Sequence, residues 1–322
     1  MKTPTLNSLN LMIVGRQGSG KTAFAHTLYK YLKADPDVEE QGHLKIYSGP
    51  VTYNKDRTNL TVVDTTGFTF HPNDKQDLAI MTDVLKYIEK QYEIQLMEEL
   101  KVKRNPRSSQ KNTLVDCILY VLSPMQDMLG GDIEVMKRLC LVSNVIPILS
   151  HADSMSSEVR EAWKTTISQK LTTENIPIFS FMDPEEGELF EEDKEMQKLV
   201  PFLVCNTDEH EDDSFLGKKF PWGDLNIENP AHTNMVHLVH CLFVTCYYAL
   251  KNITKLHYYE KYRTHKLLSR HQQVEQSFNG SDATNSSEKQ IPRKSVMDLP
   301  GLDHKLDPDR VYSVHSFYQS LQ

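Results

Sequence analysis

Gly15-Arg16-Gln17-Gly18-Ser19-Gly20-Lys21-Thr22 stands between an apolar run, Leu11–Val14, and a helical stretch from Ala23 to Lys33. The eight residues match G-x-x-x-x-G-K-[ST] in full, in the strand–loop–helix setting that gives the motif its meaning. Glycines let the backbone curl until successive N–H groups face phosphate oxygens, and the start of a helix adds a favourable dipole. Gly15, Gln17, Gly18, Ser19, Gly20 and Ala23 therefore form the candidate cradle. Lys21 is placed to bridge β- and γ-phosphates, and the Thr22 hydroxyl to ligate Mg²⁺. Two blander readings stand beside this one: a glycine-rich turn with a chance lysine, and a P-loop fold that has lost its ligand.

Two further segments extend the site. Asp64-Thr65-Thr66-Gly67 ends the next apolar run, Leu60–Val63, at the place of a D-x-x-G element. There Asp64 would hold Mg²⁺ through a water, and the Gly67 N–H would touch the γ-phosphate. Ser150-His151-Ala152-Asp153 follows the run Val145–Leu149, where an N/T-K-x-D element would read guanine. Asp153 can accept the two N–H bonds of guanine, while His151 replaces a lysine whose stem would cover the base. Asp153 as a simple helix cap is the competing reading.

Short apolar runs alternate with helical patterns from Leu9 to about Val204, the signature of an α/β domain. The expected strands are Leu11–Val14, Leu60–Val63, Cys117–Leu122, Val145–Leu149, Ile176–Phe179 and Phe202–Cys205. Their Val/Ile/Leu content suits parallel strands covered on both faces. Leu78, Met81, Leu85, Ile88, Tyr92 and Leu96, at steps of three and four, predict a helix between the second and third strands. A second long helical pattern runs from about Thr233 to Leu268. Glu185 to Glu195, rich in carboxylates, reads as a solvated face. From Ser269 the texture changes, and His271 to Lys294 reads as a disordered linker with no heptad pattern after it.

The chain has 322 residues, 39% of them hydrophobic and 25% charged, an ordinary globular composition with material for one large domain. A net charge of −8 argues against nucleic acid or a broadly anionic membrane as the main partner. No apolar run approaches the roughly 20 residues of a spanning helix. Cys117, Cys140, Cys205, Cys241 and Cys246 form no C-x-x-C pair and read as reduced thiols of a cytosolic protein.

From about Leu11 to His265 the sequence resembles the septin family. The resemblance rests on Lys103-Arg104-Asn105-Pro106-Arg107, the run Cys117–Pro124, and Asp132-Ile133-Glu134-Val135-Met136-Lys137-Arg138-Leu139. It rests further on Phe220-Pro221-Trp222-Gly223, Glu228-Asn229-Pro230-Ala231-His232, and His257-Tyr258-Tyr259-Glu260-Lys261-Tyr262-Arg263. The resemblance implies a Ras-like P-loop GTPase domain, α/β with a mixed, mostly parallel sheet flanked by helices. That domain would span residues 9–268 after a short segment 1–8, with a septin-specific element at about 214–268, a long C-terminal helix and a mostly disordered tail, 269–322. It implies GTP or GDP with Mg²⁺ at a subunit interface, Asn206 and Lys218 near the base, and Trp222 at the interface formed across the nucleotides. The implied partners are other septin subunits in hetero-oligomeric filaments, with a cytoplasmic, cytoskeletal location at the cortex or division site.

The sequence departs from the family pattern in several places. Thr3 to Asn10 holds no basic residue, so membrane association is expected to be indirect or weak. There is no threonine between Tyr29 and Val51 to help hold Mg²⁺. Thr66 replaces a proline, Asn206 a glycine, and Lys218 an arginine, which loses the planar fork. His232, His237 and His240 are read as satisfied histidines, not as a metal site. The expected protein is a divergent septin, a filament subunit acting as scaffold in cytokinesis or morphogenesis, whose nucleotide is structural more than catalytic. Its rivals are an active GTPase switch, a pseudo-GTPase that assembles without nucleotide and, more distantly, a P-loop kinase.

Overall fold

The computed structural model describes residues 7–70, 75–101, 112–124, 130–180, 191–207, 215–221 and 223–280. The expected strand at Leu11 is longer than its apolar run: β1 covers Asn7–Gly15 and so takes in the end of the segment expected to precede the domain. Leu9, Leu11, Met12, Ile13 and Val14 are fully buried, as a strand covered on both faces requires. It lies between β4 (Asp56–Thr65) and β5 (Cys117–Leu122), parallel to both. Two more strands, β6 (Val145–Leu149) and β7 (Phe202–Leu203), continue the parallel set. Before β4, β2 (Asp37–Gln41) and β3 (Leu44–Tyr53) form an antiparallel hairpin, giving the order β2-β3-β4-β1-β5-β6-β7. The fold is thus α/β with a mostly parallel sheet.

Parallel pairing has a consequence for function. Gly15, Thr65, Leu122, Leu149 and Leu203 all end their strands at the same edge, where open α/β sheets bind their ligands. The helices anchor that edge from behind. In α1 (Lys21–Tyr31), Phe24, Ala25 and Leu28 join the same buried cluster as Leu9, Leu11 and Ile13. The expected second helix is α2 (Lys75–Leu100); Met81, Leu85, Ile88, Tyr92 and Leu96 are buried, whereas Leu78 is 41% exposed. Further helices are α3 (Gly130–Leu139), α4 (Ser157–Thr173) and α5 (Glu191–Leu199). Residues 181–190 of the acidic stretch lie outside the described residues.

Three expectations need correction. Ile176–Phe179 is not a strand. Pro177 brings no donor to a ladder, and the Ile178 N–H turns back to the Ile176 carbonyl at 2.8 Å; only Phe179 N reaches Val145 O, at 2.9 Å. Phe202–Cys205 shortens to β7, with Val204 N still donating to Leu149 O at 2.8 Å. The helix expected to end near Leu268 reaches Gly280, so the described part of the expected linker, 271–280, is helical. No proline or glycine interrupts Thr264 to Asn279, so nothing in the sequence breaks the helix over this stretch.

Beyond β7 come a short antiparallel hairpin, β8 (Gly217–Phe220) with β9 (Gly223–Asn226), and a helical path. The path comprises α6 (Met235–His240), α7 (Tyr247–Ile253) and α8 (Glu260–Gly280), joined by wider π-type turns at Cys241–Thr245 and Thr254–Tyr259. It is tied to the sheet by a buried pair: Lys251 Nζ lies 2.6 Å from Asp116 Oδ2, which also accepts the Asn10 N–H at 2.8 Å. Compactness divides the chain at Thr264, and the second unit is described only as helix, from His265 to Gly280. No described helix is long and apolar enough to cross a membrane. All five cysteines are free and buried.

Candidate functional site

The loop from Gly15 to Gly20 joins β1 to α1, and its side chains already prefigure a phosphate site. Lys21 is buried, and its ammonium donates to the Arg16 carbonyl at 2.6 Å. Burial pushes its pKa down to about 8 against the opposing pull of Asp64. Thr22 Oγ1 donates to Asp64 Oδ2 at 2.6 Å, while Asp64 Oδ1 is buried without a hydrogen-bond partner. Burial also pushes the Asp64 carboxyl up, opposed by the Thr22 hydroxyl and the Lys21 ammonium. A hydroxyl beside a carboxylate with one uncommitted oxygen is the hard donor set that Mg²⁺ takes. Ser19 Oγ is likewise buried and unpartnered. These features fit phosphate and cation at this point.

The D-x-x-G element is stitched to the loop by backbone. Phe68 N donates to Gly15 O at 3.1 Å, and Gln17 N donates to Phe68 O at 2.9 Å. So close is this approach that a Cβ on Gly67 would lie 2.2 Å from Gln17 N. Phe68 is buried and stacks on Phe70, with ring centroids 5.6 Å apart, and the Arg16 guanidinium lies over Phe70. Arg16 also pairs with the buried carboxylate of Asp132, whose other oxygen accepts the Tyr120 hydroxyl at 2.8 Å. Sequence reasoning did not reach this Arg16–Asp132–Tyr120 cluster; the only signal was a charged residue in α3 that the structure buries. Thr66 N and Oγ1 donate to His43 O from the β2–β3 turn, and His43 Nδ1 lies 2.7 Å from Asp83 Oδ2 in α2.

The proposed base side gathers against Gly20. His151 and Asn206 both face it: a Cβ there would meet Asn206 Nδ2 at 2.8 Å and His151 Cε1 at 3.3 Å. Asn206 Nδ2 donates to Gly20 O at 3.2 Å, while its Oδ1 is buried without a partner. Asp153 sits in the turn Ala152–Ser154, held by Ala152 N to Val204 O at 3.2 Å. One Asp153 oxygen meets Lys218 Nζ at 2.9 Å and the other accepts the Cys205 thiol at 3.3 Å. Burial alone would raise the Asp153 carboxyl, but the Lys218 and Cys205 hydrogen bonds outweigh it and hold it below the usual carboxylate range. The structure therefore brings Asp153 and Lys218 together, and adds Cys205, which the sequence did not single out. Trp222 lies outside the described residues.

A cleft of about 1080 Å³ opens along α1 beside Thr22, bordered by Ala23, His26 and Thr207. Among the described residues there is no group of three or more metal-ligating side chains, and His232 accepts the Asn226 N–H instead.

A parallel sheet that delivers G-x-x-x-x-G-K-[ST] and D-x-x-G to one edge defines a P-loop protein of the nucleotide-binding α/β class. The septin family model matches residues 6–276, and the chain belongs to the septin family. It is 32% identical over 276 residues to septin homolog spn7 of Schizosaccharomyces pombe, covering 80% of this chain and 63% of that protein. With septin homolog spn3 of the same organism the identity is 31% over 297 residues, 87% of this chain and 78% of the relative. The septin GTPase domain from Chlamydomonas reinhardtii shares the fold, with a TM-score of 0.58 at 19% identity, over 80% of this chain and 98% of that one.

Proposed function

We propose that this chain is a septin subunit that holds a guanine nucleotide at the P-loop as a structural ligand and assembles with other septin chains into hetero-oligomeric filaments. In that role it serves as scaffold in cell division or morphogenesis, in the cytoplasm at the cortex or division site. Backbone N–H groups from Gly18 to Ala23 and the Lys21 ammonium hold phosphate. Thr22 and, through water, Asp64 hold Mg²⁺, which supplies charge neutralisation between phosphate oxygens when bound. Gly67 borders the γ-phosphate, and His151, Asp153, Asn206 and Lys218 surround the base.

One observation carries the structural reading of the nucleotide. In Ras-like GTPases a side chain next to the D-x-x-G glycine positions the attacking water. That place is filled by Phe68, whose ring is buried and whose carbonyl is committed to Gln17 N. The connection from α1 to β2, residues 32–36, adds support. It is tied off by Lys33 N to Lys30 O and Ala34 N to Tyr29 O, both 3.1 Å, and carries no threonine.

The test is phosphate release from GTP under multiple-turnover conditions, alongside co-purification with a partner septin before and after nucleotide is stripped. Slow or absent release, with pairing weakened by stripping, is expected. Sustained release that Lys21→Ala abolishes would make the protein a switch enzyme. Pairing indifferent to stripping would favour assembly without nucleotide, a reading that the Lys218–Asp153 pair also supports.

A further inference from the structure

An aspartate that reads guanine must accept the ring N1–H on one oxygen and the exocyclic amine N–H on the other. In this chain both oxygens of Asp153 have protein donors within reach: Lys218 Nζ at 2.9 Å on Oδ2, and on Oδ1 the Cys205 thiol at 3.3 Å, whose single proton can also go to Asn206 O at 3.3 Å. The pair is not a casual surface contact. The side chains of Lys218 and Asp153 are 19% and 11% exposed, a setting where an ion pair is screened little by salt. Lys218 belongs to β8, whereas Asp153 follows β6, so the contact joins the β8–β9 hairpin to the base loop. The hairpin's flanks are also held. Ile227 N donates to Leu216 O at 3.0 Å, and both side chains are buried in the core cluster. Asn226 N donates to His232 Nδ1 at 3.1 Å, so the Lys218–Asp153 pair is the charged tie among several.

We propose that Lys218 is the specificity-determining residue of the base site: its ammonium stands in for guanine's own N–H donors on Asp153. The inference rests on the reading of the P-loop as a nucleotide site. Two consequences follow. Guanine must displace Lys218 before Asp153 can read it, so the ammonium sets how much affinity the base contributes beyond the phosphate contacts. Without nucleotide, the same pair holds the β8–β9 hairpin to the core, a task the base would otherwise share.

The experiment compares the full chain with Lys218→Met, which keeps the length of the stem and removes the donor, and with Lys218→Arg, which keeps a charge. GDP and ADP are titrated against each in the presence of Mg²⁺, with Lys21→Ala as the phosphate control. Separately, hydrogen exchange of Gly217–Asn226 is followed without nucleotide. The parent should bind GDP more tightly than ADP. Lys218→Met should bind GDP at least about tenfold tighter, leave ADP unchanged, and exchange its hairpin amides at least about tenfold faster until GDP is added. Lys218→Arg should protect the hairpin as the parent does.

Weaker GDP binding in Lys218→Met would make Lys218 a direct nucleotide contact and overturn the proposal. Hairpin exchange unchanged in that variant, at an unchanged melting point, would overturn it too. If Lys21→Ala binds GDP as the parent does, it is the phosphate reading that fails. The hairpin exchange then still decides whether the pair is the tie.

Discussion

Gly67→Ala should break the junction between the D-x-x-G element and the P-loop, and its cost can be worked from the structure. The new methyl would lie 2.2 Å from Gln17 N, 2.4 Å from Gln17 Cα and 2.5 Å from the Arg16 carbonyl carbon, where ordinary contact begins near 3.4 Å. All three atoms are backbone, so no side-chain rotation relieves the clash. Either the strand end or the loop must move by about an ångström, and overpacking of that kind costs about 1–3 kcal/mol. The movement also strains two backbone hydrogen bonds, Gln17 N to Phe68 O and Phe68 N to Gly15 O, each worth about 1 kcal/mol net. A loss of about 4 kcal/mol follows, a fall in melting temperature of roughly 8–16 °C for a domain of this size. Gly18→Ala is the control: nothing lies within 4 Å of its Cβ, and only its φ of +76° resists, at about 1–2 kcal/mol. Circular dichroism melting of the two variants, with GDP titration at a temperature where both are folded, separates them. A Gly67→Ala protein that melts with the parent and binds GDP as tightly would refute the claim that these two segments are locked together.

Three further outcomes are expected. Lys251→Met should cost about 3–5 kcal/mol, because it leaves the fully buried Asp116 without its counter-ion; a chemical-denaturation midpoint equal to the parent's would show the pair to be idle. Asp153 ionises more readily folded than unfolded, so its contribution is complete above the ordinary aspartate value of 3.8 and is lost as pH falls below it. The stability gap between the parent and Asp153→Asn should therefore stay flat from pH 7 to about 5 and close only under more acid conditions; a gap closing near pH 6 would deny the depressed pKa. Trp222→Ala should weaken pairing with a partner septin at least about thirtyfold, as an interfacial tryptophan worth roughly 2 kcal/mol does, with an unchanged melting point; early melting would place it in its own chain's core.

Much of the candidate site's setting was legible because its signals are local. The P-loop motif, its strand and its helix occupy one continuous segment, and the buried parallel strands announce themselves as apolar runs. The hairpin β2–β3 gave no such signal. Asp37-Val38-Glu39-Glu40-Gln41 is exposed throughout, so no alternation marks it, and Gly49-Pro50 interrupts the pattern of β3. Contacts between distant segments were equally hidden. Arg16 with Asp132, and Asp153 with Lys218 and Cys205, are made by topology, and one sequence without tertiary structure does not say which charges will meet. That is why Asp153 and Lys218 could each be singled out from the sequence while their pairing with each other went unseen.

The account stands most directly on the phosphate cradle, and equilibrium dialysis against GDP with Mg²⁺ tests it. Purified parent should take up close to one GDP per chain. Lys21→Ala, folded but lacking the ammonium that Arg16 O now holds at 2.6 Å, should take up almost none. Equal uptake by both proteins, or none by the parent at millimolar GDP, would contradict a nucleotide site at this P-loop.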